Sequence, residues 1–132
     1  MKITADTNVL VRILTGDNER QSRIAQNTLA QSDMVAVTIP TLCELVWVLE
    51  RGYKIDVAEI AAAIRGLINS ANVIVTRPAV EAGLVLLEAG GDFADGVIAF
   101  EGSQLGAQTF VSFDQKAVRL VTKIGQAARL LG

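Results

Sequence analysis

The chain has 132 residues, of which 51 % are apolar and 20 % are charged, and its net charge of −2 argues against a basic nucleic-acid coat protein. It contains one cysteine, Cys43, and no histidine. An internal disulfide, a multi-cysteine zinc site and every catalytic mechanism that needs an imidazole are therefore excluded, which leaves carboxylate, lysine or hydroxyl groups or a hard metal ion.

Short apolar or β-branched runs alternate with longer segments of helical character. The predicted strands are Lys2 to Ala5, Met34 to Ile39, Asn72 to Thr76 and Thr109 to Phe113. The predicted helices are Asn8 to Leu14, Glu19 to Gln31, Thr41 to Arg51, Val57 to Asn69, Ala79 to Ala89 and Asp92 to Leu105, with a shorter helix after Asp114. This alternation predicts an α/β fold with a parallel sheet covered on both faces.

No internal repeat or linker interrupts this pattern, and no apolar stretch is long enough to cross a bilayer. We therefore expect a single domain over residues 1–132, located in the cytoplasm and with no membrane partner. Ligands of parallel sheets gather at the carboxyl ends of the strands, so residues that directly follow strands are candidates for a functional site.

Two predicted strands run directly into an aspartate. Asp6 follows the first strand and Asp114 follows the last one, so both carboxylates are expected at the same edge of the sheet. Each of them is also a suitable N-cap for the helix that comes next.

Glu44 lies in a segment, residues 42–49, that has no other charged residue. Such a helix is expected to be buried, and a buried carboxylate needs a partner. The alternative is a capping box, because Thr41 and Glu44 have the spacing of one.

A third acidic site opens the helix that is predicted after Gly91. Asp92 and Asp95 are three residues apart on one helix face, where their charges repel each other. On a surface helix, capping by Asp92 and the favourable helix dipole at Asp95 would be enough to explain both acids. Phe93, Val97 and neighbouring apolar residues instead indicate a largely buried helix.

Several carboxylates in one pocket repel each other strongly, by on the order of 4 kcal/mol for a pair about 4 Å apart at an effective dielectric constant near 20. Such a cluster persists only with raised pKa values or a bound cation. An all-oxygen cluster suits Mg²⁺ or Mn²⁺, either of which activates water and stabilises charge on a phosphodiester.

Taken in order, these motifs resemble the PIN-domain family and, within it, the VapC-type toxins of bacterial toxin–antitoxin pairs. The resemblance rests on four segments of the chain, which begin at Asp6, near Glu44, at Asp92 and at Ser112. It implies a PIN-like three-layer α/β/α sandwich with a central parallel sheet of four to five strands. It also implies an endoribonuclease that hydrolyses RNA through a water activated by Mg²⁺ or Mn²⁺.

Carried over to this chain, the resemblance assigns each acidic residue a role. The metal-site and catalytic carboxylates would be Asp6, Glu44, Asp95 and Asp114. Supporting polar residues at the same edge would be Thr7, Asn8 and Ser112, while Asp92 either caps its helix or reaches a metal through water. Gly96 stands where the family commonly has alanine, and it is expected to loosen this helix turn by about 1 kcal/mol.

The resemblance further implies an RNA substrate, a cognate antitoxin that covers the acidic groove, and a homodimer. Trp47 and Tyr53 are candidate contact residues for these partners. Candidate phosphate ligands are the basic residues Arg12, Arg20, Arg23, Lys54, Arg77, Lys116 and Arg119.

Two other classes of function remain as alternatives. A phosphotransferase of the haloacid-dehalogenase type needs a second aspartate two residues after the first, where this chain has Asn8. A PIN-like module that binds RNA or protein without cutting is the stronger alternative, although unused repelling carboxylates would only destabilise it.

Overall fold

The computed structural model describes all residues, 1–132, as seven α-helices and five short strands. The strands are β1 (Lys2–Thr4), β2 (Met34–Ala36), β3 (Val73–Ile74), β4 (Phe110–Ser112) and β5 (Ala128–Leu130). The helices are α1 (Thr7–Thr15), α2 (Glu19–Gln31), α3 (Ile39–Trp47), α4 (Val57–Ile68), α5 (Arg77–Glu88), α6 (Phe93–Gln104) and α7 (Gln115–Lys123). A π-helical turn, Val48–Gly52, directly follows α3. None of these helices combines the length and the hydrophobicity that a membrane span requires.

The predicted α/β class with parallel strands is confirmed, and the order of its elements is consistent with a PIN-like α/β/α sandwich. The chain divides into two compact units, residues 1–76 (unit 1) and residues 77–132 (unit 2). Hydrogen bonds join β1, β2 and β3 in unit 1 and join β4 and β5 in unit 2.

In unit 1 the three strands are parallel, with β2 in the middle. Val35 is the central residue of β2; it pairs with Ile3 of β1 and with Val73 of β3. The core of this unit is aliphatic and comes mostly from the helices, with fully buried side chains at Leu10, Leu42, Leu45, Leu49, Ile60 and Ile64. Because β1 and β2 are short and parallel, the turns that follow them begin at the same edge of the sheet.

In unit 2 the helices α5 and α6 pack closely because glycines lie at their contact. A Cβ atom on Gly96 would lie 2.5 Å from the carbonyl oxygen of Ala82, and one on Gly83 would lie 2.6 Å from the ring of Phe93. Gly96 therefore has a packing role that outweighs its weak helix propensity. The close contact fixes the start of α6, where Asp92 and Asp95 lie.

Helix α3 begins two residues earlier than predicted. Thr38 is its N-cap and accepts a hydrogen bond from the backbone N–H of Thr41, while Pro40 lies in the first turn, where a missing N–H costs nothing. The capping box that was the alternative explanation of Glu44 is therefore ruled out, because Thr41 already lies inside the helix.

The prediction that the helix around Glu44 is buried on all sides is also wrong. Leu42, Leu45 and Leu49 face the core, but Glu44 is exposed and the Trp47 side chain is 61 % exposed. The outer face of α3 therefore carries the long side chain of Glu44 and the large ring of Trp47. Helix α6, predicted to be largely buried, buries Phe93, Gly96, Val97 and Ala99 but leaves Ile98 exposed.

Candidate active site

The first acidic group lies in unit 1, in the turn between β1 and α1. Ala5 is buried and its N–H donates to the carbonyl of Ala36, which holds the end of β1 against β2. Asp6 then turns the chain into α1 as its N-cap, and its Oδ1 accepts a hydrogen bond of 2.8 Å from the backbone N–H of Thr7. The helix-capping interpretation of Asp6 is therefore correct. The capping hydrogen bond involves one of the two carboxylate oxygens, Oδ1.

Glu44 is joined to this turn by a hydrogen bond from Thr7. The Thr7 hydroxyl donates to Glu44 Oε1 over 3.0 Å. Because Thr7 follows Asp6 directly, this bond brings Glu44 of α3 beside the first aspartate of the chain. Thr7, predicted as a supporting residue, thus contacts both groups.

Asp6 and Glu44 line one groove of about 400 Å³, and the predicted supporting residues Thr7 and Asn8 lie in its wall. The other lining residues are Val11, Arg12, Val48 and Tyr53. The groove therefore combines two carboxylates, a hydroxyl and an amide with one cationic and one aromatic side chain.

A hydrogen-bonded network stands at one side of this groove. Arg12 Nη1 donates to Asp17 Oδ1 at 3.0 Å, and the Tyr53 hydroxyl donates to Asp17 Oδ2 at 2.6 Å. The bond from Tyr53 is the largest influence on the pKa of Asp17 and holds it below its ordinary value. It outweighs the opposing effect of burial, and smaller contributions from Thr15 and Arg12 lower the pKa further. Asp17 was not predicted as a site residue, because its partner Tyr53 is distant in sequence and no local pattern marks the pair.

The second acidic group lies in unit 2, at the starts of α6 and α7. Asp92 caps α6 and accepts a hydrogen bond of 3.0 Å from the N–H of Ala94. Asp114 caps α7, and its Oδ1 accepts from the N–H of Ala117 at 3.0 Å. The Ser112 hydroxyl accepts from the backbone N–H of Asp114 at 2.9 Å, so Ser112 shapes the turn from β4 into α7.

Asp95 lies in the first turn of α6 and is half-buried. Its pKa is raised above the ordinary value, chiefly by burial and then by the negative charges of Asp92 and Asp114. The negative charges of two neighbouring acids of unit 2 therefore act on Asp95. Burial and these two charges make ionisation of Asp95 less favourable than that of a free aspartate, and a nearby cation would oppose both effects.

The donors that both groups offer are oxygen atoms, the ligand type that Mg²⁺ and Mn²⁺ prefer. No group of three acidic side chains in the chain lies close enough together to hold a metal ion. Carboxylates that repel each other separate unless a cation draws them together. The residue types thus suit a hard divalent cation. Neither acidic group supplies a full set of ligands by itself.

Several candidate phosphate ligands are engaged with acidic partners. Arg12 is bound to Asp17, and Arg23 and Arg77 pair with the acids one helical turn away on their own helices, Glu19 and Glu81. Arg20 lines a separate groove between α1 and α2. Lys54, Lys116 and Arg119 are exposed.

Comparison with known proteins gives one family. Residues 3–123 match the family model described as PIN domain, and this range spans most of both units and includes all of the candidate acids. No curated protein matches the chain.

Proposed function

The chain belongs to the PIN-domain family, a nuclease-type fold family, and from this premise we propose that it is a cytoplasmic metal-dependent endoribonuclease. The proposed metal-site carboxylates are Asp6 and Glu44 of unit 1 and Asp95 and Asp114 of unit 2. We further propose that residues 1–132 act as one PIN domain.

The observation that carries the proposal is the groove shared by Asp6 and Glu44. These acids come from different elements, and the Thr7 hydroxyl joins the turn of one to the side chain of the other. A capping role accounts for Asp6 but leaves Glu44 without a structural reason, since Glu44 is exposed and caps no helix. An exposed carboxylate held in place by a hydroxyl is what a metal or substrate site requires.

A bound Mg²⁺ or Mn²⁺ would supply Lewis-acid stabilisation of the phosphate and lower the pKa of a water molecule. The chain provides oxygen donors for it, and Thr7 and Ser112 support the acids through hydrogen bonds to Glu44 and to the backbone of Asp114. Ionised Asp95 would gain from a bound cation, because burial and two neighbouring acids disfavour its charge.

The proposed reaction adds water across a phosphodiester bond of RNA. The oxygen of water bonds to phosphorus, the bond from phosphorus to the 3′ oxygen breaks, and that oxygen leaves with a proton. The products carry 5′-phosphate and 3′-hydroxyl ends. The reaction uses neither a histidine nor the 2′-hydroxyl, which agrees with the absence of histidine from the chain.

The order of the four motifs supports a more specific role as the toxin of a toxin–antitoxin pair, by resemblance to VapC-type proteins. In that role a cognate antitoxin covers the acidic groove and the toxin forms a homodimer. A basic side chain of the antitoxin would neutralise Asp6 and Glu44 in place of a metal.

The test is to incubate the purified chain with total RNA in Mg²⁺ or Mn²⁺, with and without EDTA, and to map the cut ends. We expect cleavage that EDTA abolishes and that leaves 5′-phosphates. A PIN-like module that only binds RNA or protein predicts no cleavage under either condition. Cleavage that persists in EDTA, or cyclic phosphate ends, would contradict the proposed chemistry.

A further inference from the structure

The two aromatic residues of unit 1 are both at its surface. Trp47 and Tyr53 are the only aromatic side chains among residues 1–76, and the four phenylalanines all lie in unit 2. The core of unit 1 is built from leucine, isoleucine, valine and alanine. Unit 1 thus keeps its largest apolar side chains out of the core, although burying an aromatic ring is strongly stabilising.

Trp47 lies beside Glu44 on the outer face of α3. Residues three apart on a helix are neighbours, and both side chains line a second depression of about 360 Å³ together with Cys43 and Val48. Its surface is mostly apolar, and the Trp47 side chain is 61 % exposed there. This volume lies within the range of small-ligand clefts, about 300–1,000 Å³.

Tyr53 lies on the other side of Glu44, in the groove that also contains Asp6. Its hydroxyl is held by Asp17 at 2.6 Å and accepts from Arg12 at 3.4 Å, so the ring is fixed while the side chain remains 37 % exposed. The π-helical turn between the two aromatic residues places Val48 in both depressions. Glu44 and Val48 therefore join an apolar aromatic cleft to the acidic groove.

We propose that Trp47 is a base-stacking surface for an unpaired nucleotide of the RNA substrate, with Tyr53 as a second aromatic surface on the opposite side of Glu44. This inference rests on the proposed ribonuclease function and specifies how the substrate is held. Unpaired bases stack on aromatic side chains, and such stacking tolerates any base sequence because every base has a flat face. A base on Trp47 lies next to the carboxylate groove, so its phosphate reaches the acids. In a duplex the base faces are already stacked and do not reach the ring.

The direct test uses the intrinsic fluorescence of the chain, because Trp47 is its only tryptophan. A short unstructured oligoribonucleotide is titrated into the wild-type protein in EDTA and low salt, so that the strand is bound without being cut. An abasic oligomer of the same length and charge is the matched control. We expect saturable quenching with the base-containing strand and little with the abasic strand. Equal quenching by both strands, or none by either, would overturn the proposal.

Substitution separates stacking from a structural role. We expect Trp47→Ala to raise KM for a single-stranded substrate about tenfold with kcat nearly unchanged, since stacking on one ring accounts for an effect of this order. Trp47→Phe retains an aromatic face and should remain within about threefold of the wild-type KM. Leu105→Ala, which changes a 91 % exposed side chain at the end of α6, is the control and should leave KM unchanged.

Two further results would contradict this role. The first is an unchanged KM in Trp47→Ala. The second is a change from dimer to monomer in Trp47→Ala, together with wild-type fluorescence that does not respond to RNA. That second result would make Trp47 a self-association contact. If the wild-type protein cuts no RNA, the ribonuclease proposal fails, but the fluorescence titration still decides whether bases stack on Trp47. The two failures are therefore distinguishable.

Discussion

The acidic group of unit 1 and that of unit 2 are built in different ways. In unit 1 the Thr7 hydroxyl lies between the turn of Asp6 and the side chain of Glu44, so a hydrogen-bond donor separates the two acids. In unit 2 the acids act on Asp95 without such a donor, and the pKa of Asp95 is raised by burial and by their charges. Unit 1 therefore has a carboxylate that is already positioned, whereas unit 2 has a carboxylate that gains from a cation.

The largest expected effect in this comparison is the loss of cleavage when an acid of either group is neutralised. We expect Asp6→Asn, Glu44→Gln and Asp95→Asn each to reduce RNA cleavage at least about 100-fold while the fold is retained, because each removes a charged metal donor. The measurement is initial cleavage rate in Mg²⁺. Glu101→Gln, on the exposed side of α6, is a matched control that should cut normally. Wild-type rates in all three site variants would refute the assignment.

A smaller loss is expected when the hydroxyl of unit 1 is removed. Thr7→Val keeps the shape of the side chain but loses the hydrogen bond to Glu44, so the carboxylate is no longer held in place. Loss of such a supporting contact typically costs 10- to 100-fold, and we expect about tenfold in cleavage rate. Thr122→Val removes a hydroxyl that bonds only to its own helix and serves as the control. Equal rates for Thr7→Val and Thr122→Val would show that the Thr7 bond has no functional role.

Two substitutions of Asp92 distinguish a capping role from a role in supporting the metal in unit 2. Asp92→Ala removes the bond to the N–H of Ala94 and should reduce the free energy of unfolding by about 1 kcal/mol. Asp92→Asn preserves the cap, removes the charge, and should remain within a few tenths of a kcal/mol of the wild type. Denaturant unfolding measures both. If Asp92→Asn is as stable as the wild type but cuts RNA about tenfold more slowly, Asp92 also supports the metal through water.

The smallest effect concerns the network that borders the groove of unit 1. The pKa of Asp17 is lowered in the folded protein, so the unfolded chain binds its proton more readily and the stabilisation rises with pH. It is fully present above the ordinary pKa of 3.8 and is lost as the pH falls through the lower folded value. Asp17→Asn should therefore unfold at a slightly lower temperature than the wild type at neutral pH, and this difference should disappear in strong acid. A difference that persists in acid would contradict the ionic role of Asp17.

The sequence predicts local features well because their causes are local. Asp6, Asp92 and Asp114 were expected as helix caps, and each accepts a hydrogen bond from the first turn that follows it. The bounds of α2, Glu19–Gln31, match the prediction at both ends. The α/β class follows from the alternation of apolar runs and amphipathic segments.

Features that depend on distant partners were not predicted. Strand β5 is three residues long and contains Arg129, and it forms only because β4 offers backbone groups such as the carbonyl of Ser112 to Leu131. The exposed face of α3 could not be predicted from its sequence, because nearly all residues of this segment are apolar. Hydrophobicity alone does not show which face of a helix another element covers. The bond from Thr7 to Glu44 likewise depends on how α1 and α3 pack.

The central claim is that acids from both groups bind a divalent cation, and calorimetric titration with Mn²⁺ tests it most directly. We expect the wild type and Glu101→Gln to bind Mn²⁺ and both Asp6→Asn and Asp95→Asn to lose that binding. In EDTA, Asp95→Asn should be slightly more stable than the wild type at neutral pH, because it removes a disfavoured charge. A wild-type protein that binds no Mn²⁺, or an Asp95→Asn variant that binds it as the wild type does, would contradict the account.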